Sequence, residues 1–131
     1  MNGFHYVSLV TLASLILYIV LLSNVGLARY KFGVKAPAMT GHETFERYVR
    51  VHYNTIEQMV LFLPSLWLFA YYVDTTWATG LGLVWLLGRI VYAISYYRDP
   101  EIRTLGFALS ALPTVVMLVG AIVAIASVVL V

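Results

Sequence analysis

The chain contains no cysteine, and only 11% of its 131 residues are Asp, Glu, Lys or Arg. Without cysteine, any thiol chemistry must use a thiol that a ligand brings. With so little charge, a water-soluble surface can hardly be built. The formal net charge is +2 and no basic run is present, which excludes nucleic acid as a partner. There is no phosphate-binding glycine loop, and no carboxylate or histidine cluster has metal-site spacing, so no metal is expected. Internal repeats, linkers and low-complexity stretches are also missing.

What remains is apolar. The hydrophobic fraction is 62%, against roughly 45–50% for soluble domains. The composition describes an integral membrane protein of one small domain, residues 1–131. No Lys or Arg precedes the first apolar stretch, so that stretch reads as a retained transmembrane helix and not a cleaved signal.

Four spans are expected, near residues 4–28, 45–73, 76–97 and 104–131, in an all-α four-helix bundle. Met1 to Ala28 and Thr104 to Val131 carry no Asp, Glu, Lys or Arg. Both exceed the ~20 residues that cross a bilayer, and Pro113 predicts a kink in the last. The middle pair is shorter between charges. Gln58 to Val73 gives about 24 Å of helix and Thr75 to Gly88 about 21 Å, less than the ~30 Å of hydrocarbon. Each must therefore extend past its charge, the second back through Glu57 and Asn54, the third on through Arg89 and Tyr92. Lys31, Lys35, Arg98 and Arg103 lie in or beside the first and third connections, which places those connections in the cytoplasm.

Arg50, Asn54 and Glu57 follow i, i+4, i+7; Arg89, Tyr92 and Tyr96 follow i, i+3, i+7. On helices each set forms one polar stripe. Ionisable groups inside a span are costly unless paired or lining a wet cavity, so the stripes mark a candidate site opening at the cytoplasmic edge. Glu57 and Arg89 fall at similar depths and are candidates for an ion pair. Plainer readings exist for each group. Arg50 as a snorkelling cation, Glu57–Arg89 as a structural pair, Tyr97 in an interfacial belt and Arg98 as a topology charge all fit. His5 and His42 read as inert, and His52 either contacts a ligand or faces water. On the functional reading, the cations Arg50, Arg89 and Arg103 suit carboxylates or a developing thiolate, while Asn54 and Glu57 suit amide and ammonium groups. That set fits a small zwitterionic peptide. A small transporter with the stripe as its path is the rival reading.

The run Glu46-Arg47-Tyr48-Val49-Arg50-Val51-His52-Tyr53-Asn54-Thr55-Ile56-Glu57 resembles the second-helix signature of the MAPEG family, membrane-associated proteins of eicosanoid and glutathione metabolism. Gly88-Arg89-Ile90-Val91-Tyr92-Ala93 with Tyr96-Tyr97 resembles the third helix of type-three microsomal glutathione transferases. Asn24-Val25 with Ala28-Arg29 also fits. The resemblance implies a homotrimer binding glutathione as co-substrate between subunits, held by Arg29, Arg50, His52, Asn54, Glu57, Arg89, Tyr92 and Tyr96. Arg103 matches the arginine that stabilises the glutathione thiolate. His52 falls where leukotriene-forming members have a peptide-contacting glutamine. Gln58 and Tyr30 depart from those members, which have a tyrosine and a second arginine there. The implied activity is a membrane glutathione transferase, with peroxidase activity on the same thiolate. Its partners are a hydrophobic electrophile or lipid hydroperoxide and membrane lipid. The family also contains a non-enzymatic lipid-binding scaffold. The short tail without a retrieval signal favours a bacterial inner membrane over the endoplasmic reticulum.

Overall fold

Local capping chemistry sets where each helix begins and ends. In the computed structural model, which describes residues 3–131, α1 spans Phe4–Phe32, α2 Glu43–Tyr72, α3 Thr75–Arg98 and α4 Thr104–Val129. A single 3₁₀ turn at Pro100–Ile102 joins α3 to α4. Helix α1 runs one turn beyond the expected end at residue 28. The charge of Arg29 ends the apolar stretch, but the helix stops only where Gly33 takes φ 69° and its N–H bonds back to Arg29 O. His42 is not inert. Its Nδ1 accepts from Thr44 N at 3.2 Å and caps α2. Asp74 caps α3 in the same way, accepting from Trp77 N at 2.8 Å.

Side-chain pairs report the topology. Phe4 stacks on Trp67, Tyr18 on His52 and Phe32 on His42, so α1 and α2 run antiparallel. Trp85 stacks on Phe62 at 4.0 Å, and Tyr97 on Tyr48, which reverses α3 against α2. Arg89 bonds Ser110, and Tyr92 meets Phe107, which reverses α4 against α3. The bundle is up-down-up-down, with the first and third connections at one end.

Three helices are long and apolar enough to cross a membrane: Phe4–Phe32, Thr75–Arg98 and the stretch Pro100–Val129. Helix α2 has the length, but Arg50 and Glu57 on its face lower its apolarity. The outer faces of α1 and α4 expose Leu9, Ile16, Ile19, Val115, Val119 and Ile122. Such a surface suits lipid and not water.

In lipid, helices associate through close packing more than through hydrophobic burial. Small residues supply it here. A side-chain carbon on Gly88 would lie 2.7 Å from the backbone of Leu109 and Ser110, whereas one on Gly26 would meet nothing within 4 Å. Gly88→Ala is therefore expected to cost about 1–3 kcal/mol by overpacking. Gly26→Ala is expected to be neutral or to gain up to about 1 kcal/mol of helix propensity. Thermal unfolding in detergent separates the two, and equal effects would show that α3 and α4 do not pack this closely.

Candidate functional site

The helical repeat puts Glu46, Arg50, Tyr53 and Glu57 in one line along α2, with Val49 and Asn54 on its flanks. All six line one cavity of about 590 Å³. Helix α3 adds Tyr92 and Tyr96, the start of α4 adds Arg103, and the first connection closes the rim with Met39 and Thr40. That volume lies in the range of small-molecule sites, roughly 300–1,000 Å³. A second hollow of about 420 Å³ shares Glu46, Arg50 and Tyr96 and runs on to His42 and Pro100. The site thus opens at the end of the bundle where the first and third connections meet.

Beneath it lies Arg89, with 0% of its surface exposed. Its Nη2 donates to Asn54 Oδ1 at 2.7 Å and Thr55 Oγ1 at 3.0 Å; its Nη1 donates to Ser110 Oγ at 3.1 Å. The guanidinium also sits 4.2 Å from the Tyr92 ring centroid. Arg89 therefore ties α2, α3 and α4 together under the cavity and does not line it. Because Asn54 Oδ1 is taken, its amide nitrogen is left for the cavity.

The expected Glu57–Arg89 ion pair does not form. Among the described residues the only ion pair is Arg47–Glu43, at 3.2 Å. Glu57 is on the exposed edge of α2, whereas Arg89 is on the packed face of α3. Neutral oxygens from Asn54, Thr55 and Ser110 solvate the cation in place of a carboxylate.

Two other expected ligand residues are absent from the cavity wall. His52 lies two positions from Arg50, roughly 200° around the helix, and faces α1. It is 6% exposed, its ring stacks on Tyr18, and its Nδ1 is 2.7 Å from Val49 O. Arg29 is spent on the first connection. It donates to Ala38 O at 2.7 Å, reaches Met39 Sδ at 3.6 Å and lies over the Phe45 ring. It holds the rim in place without lining the protomer's cavity. Arg50, Asn54, Glu57, Tyr92, Tyr96 and Arg103 are brought together.

Sequence reasoning missed Glu46, Val49, Tyr53, Met39 and Thr40. Glu46 and Tyr53 were available, since they fall on the same helical face as Arg50 at spacings of four and three, and Val49 is one turn from Tyr53 on its flank. Met39 and Thr40 sit in a connection whose path depends on the Arg29 bonds, and no local pattern announces them.

Chemically, the cavity offers exposed guanidiniums from Arg50 and Arg103, carboxylates from Glu46 and Glu57, and phenol hydroxyls from Tyr92 and Tyr96. Arg103 stands at the start of α4, donating to Pro100 O at 2.5 Å. The positive end of the α4 dipole adds to its charge. This end of the cavity suits an anion, and the α2 stripe suits an ammonium group beside a carboxylate.

The MAPEG family model matches residues 7–123. An uncharacterized protein of Synechocystis is 55% identical over 118 residues, covering 90% of this chain and 86% of its own. Microsomal glutathione S-transferase 2 of Homo sapiens is 40% identical over 87 residues, covering 66% of this chain and 59% of its own. The Bos taurus protein of that name is 38% identical over 101 residues, covering 74% and 69%.

Proposed function

The chain belongs to the MAPEG family, and from that premise we propose that it is a membrane glutathione transferase whose cavity binds glutathione and ionises its thiol. The observation that carries this reading is the single cavity that gathers Arg50, Asn54, Glu57, Tyr92, Tyr96 and Arg103. Glutathione carries two carboxylates, one ammonium, two amides and one thiol. Arg50 takes a carboxylate, Glu57 and Glu46 take the ammonium, and Asn54 and the tyrosine hydroxyls bond the amides. Arg103 faces the sulfur.

A free thiol with pKa near ~8.5 is only about 3% ionised at pH 7. Lowering it by ~2 units takes roughly 2.7 kcal/mol of preferential stabilisation, which a guanidinium in a poorly solvated site supplies. The thiolate then attacks an electrophile that arrives from the bilayer. A carbon–sulfur bond forms and the leaving group departs with its electron pair. With a lipid hydroperoxide, the same thiolate attacks the terminal oxygen and releases the alcohol. A second glutathione then resolves the sulfenic acid to the disulfide, giving peroxidase activity.

Arg50 and Glu57 are exposed on the free protomer, in a chain whose other faces suit lipid. Charges left against hydrocarbon are costly, so a neighbouring copy covers them. The family's homotrimer with glutathione between subunits meets that need. The protein works in a bacterial inner membrane with the cavity open to the cytoplasm, in keeping with the lysines and arginines at that end.

Calorimetric titration of glutathione into the detergent-solubilised protein tests the binding half of this reading. Saturable binding is expected, weakened about 10- to 100-fold in Arg50→Ala, the loss of one hydrogen-bonded charge. Wild-type protein that takes up no glutathione would refute it.

A further inference from the structure

One flank of the cavity has no charge and no role yet. Val49 on the flank of the α2 line and Tyr53 within that line, one helical turn apart, share this part of the wall with Met39 of the first connection. Val49 is buried among Val25, Ala28, Val34 and Phe45, which places this flank on the α1 side; Tyr92 and Arg103 occupy the α3–α4 side. The polar groups of glutathione are satisfied by the central stripe and the α3–α4 side. An uncharged thioether, an isopropyl group and a phenol ring offer that peptide little.

Tyr53 is also held. Its ring lies 4.4 Å, centroid to centroid, from the ring of His52, tilted by 38°. His52 in turn stacks on Tyr18 of α1 at 6.2 Å. A backbone carbonyl only accepts, so at 2.7 Å from Val49 O the Nδ1 of His52 carries the proton and donates it, which fixes the imidazole plane. Three rings thus run from α1 through α2 to the cavity, and the last ring, 45% exposed in the protomer, ends on its wall.

We propose that Tyr53 is a specificity-determining residue, the platform on which the flat, conjugated part of the electrophile rests, and that His52 is the positioning residue that fixes its ring. The proposal rests on the transferase reading. Offset or edge-on contact with the Tyr53 ring favours aromatic bodies over small aliphatic ones. The Met39 thioether adds a polarizable contact of the kind sulfur makes at ring edges. In the step itself the glutathione thiolate forms a carbon–sulfur bond to the ring carbon. The carbon–chlorine bond of a chlorodinitrobenzene breaks, and chloride leaves with its electron pair. The thiol proton has already gone to solvent.

The test compares kcat/KM for chlorodinitrobenzene with that for iodoacetamide, a small aliphatic electrophile, at saturating glutathione. Tyr53→Ala is expected to lower the aromatic-to-aliphatic ratio about tenfold, the worth of one ring contact with its buried area. Tyr53→Phe keeps the platform and is expected to keep the ratio within about twofold. His52→Leu, which fills the space but cannot brace the ring, is expected to lower the ratio a few-fold by raising KM for the aromatic substrate alone. A Tyr53→Ala protein that loses both reactions in equal proportion, with wild type active, would overturn this inference and leave the transferase reading standing. A His52→Leu protein that affects both electrophiles alike would overturn the bracing role. Wild-type protein that binds no glutathione would remove both readings together.

Discussion

Arg103→Ala is expected to shift the pH–rate midpoint of conjugation up by about two units, toward the ~8.5 of a free thiol. At pH 7 the ionised fraction of bound glutathione then falls from about three quarters to about 3%. The rate falls by less than that ratio, because a more basic thiolate is intrinsically more nucleophilic and recovers part of the loss. The pH profile is therefore the sharper readout. Below pH 6 both proteins slow together; between pH 7 and 9 the variant's rate keeps climbing after the wild type has levelled. Arg103 is exposed and its one hydrogen bond goes to Pro100 O, so the substitution leaves the helix packing intact. An unmoved midpoint would transfer the sulfur contact to another cavity group, Arg50 or Tyr92.

Arg89→Ala is expected to act on the fold first. The guanidinium makes its three hydrogen bonds to side chains of α2 and α4 from within α3, fully buried. Removing it leaves Asn54, Thr55 and Ser110 without their donors and opens a void between three helices. Each lost bond to a charged group is worth about 1.5–3 kcal/mol, and the orphaned hydroxyls of Thr55 and Ser110 remain buried, so a loss of at least about 3 kcal/mol is expected. Arg89→Lys should recover only part of it, because a single ammonium cannot fork toward both α2 and α4. Unfolding in detergent monitored by circular dichroism reads the difference. A cost under about 1 kcal/mol would show that the buried cation is not what ties the helices together. Glutathione binding should weaken in the same variant, since Asn54 loses the bond that aims its amide into the cavity.

The contrast between these two arginines marks how much the sequence discloses. Helical spacing is a local property, so the stripe of Arg50, Asn54 and Glu57 and its partner in Tyr92 and Tyr96 were legible, and the resemblance placed Arg103 beside them. The azimuth of one helix against another is not local. Depth alone matched Glu57 with Arg89, but the packing of α3 on α4 through Gly88 and Gly106 turned Arg89 inward, toward Ser110. The displacement of His52 from the wall was readable from its distance of two residues from Arg50. The family pattern, which counts positions and not faces, pointed the other way. The rim was illegible, because the path of the first connection is set by the bonds of Arg29 to Ala38 and Met39, nine and ten residues on. The extra turn of α1 was hidden for another reason. Arg29 and Lys31 end the apolar span, but both favour helix, and only Gly33 stops it.

The central claim is that this cavity ionises glutathione. It is tested most directly by ultraviolet difference absorbance of the thiolate when glutathione is added to the detergent-purified protein at pH 7, wild type beside Arg103→Ala. A thiolate band in the wild type that is lost in the variant is the predicted result. Wild-type protein that shows no band would contradict it, and would leave the polar cavity to a lipid-binding scaffold or a transport path.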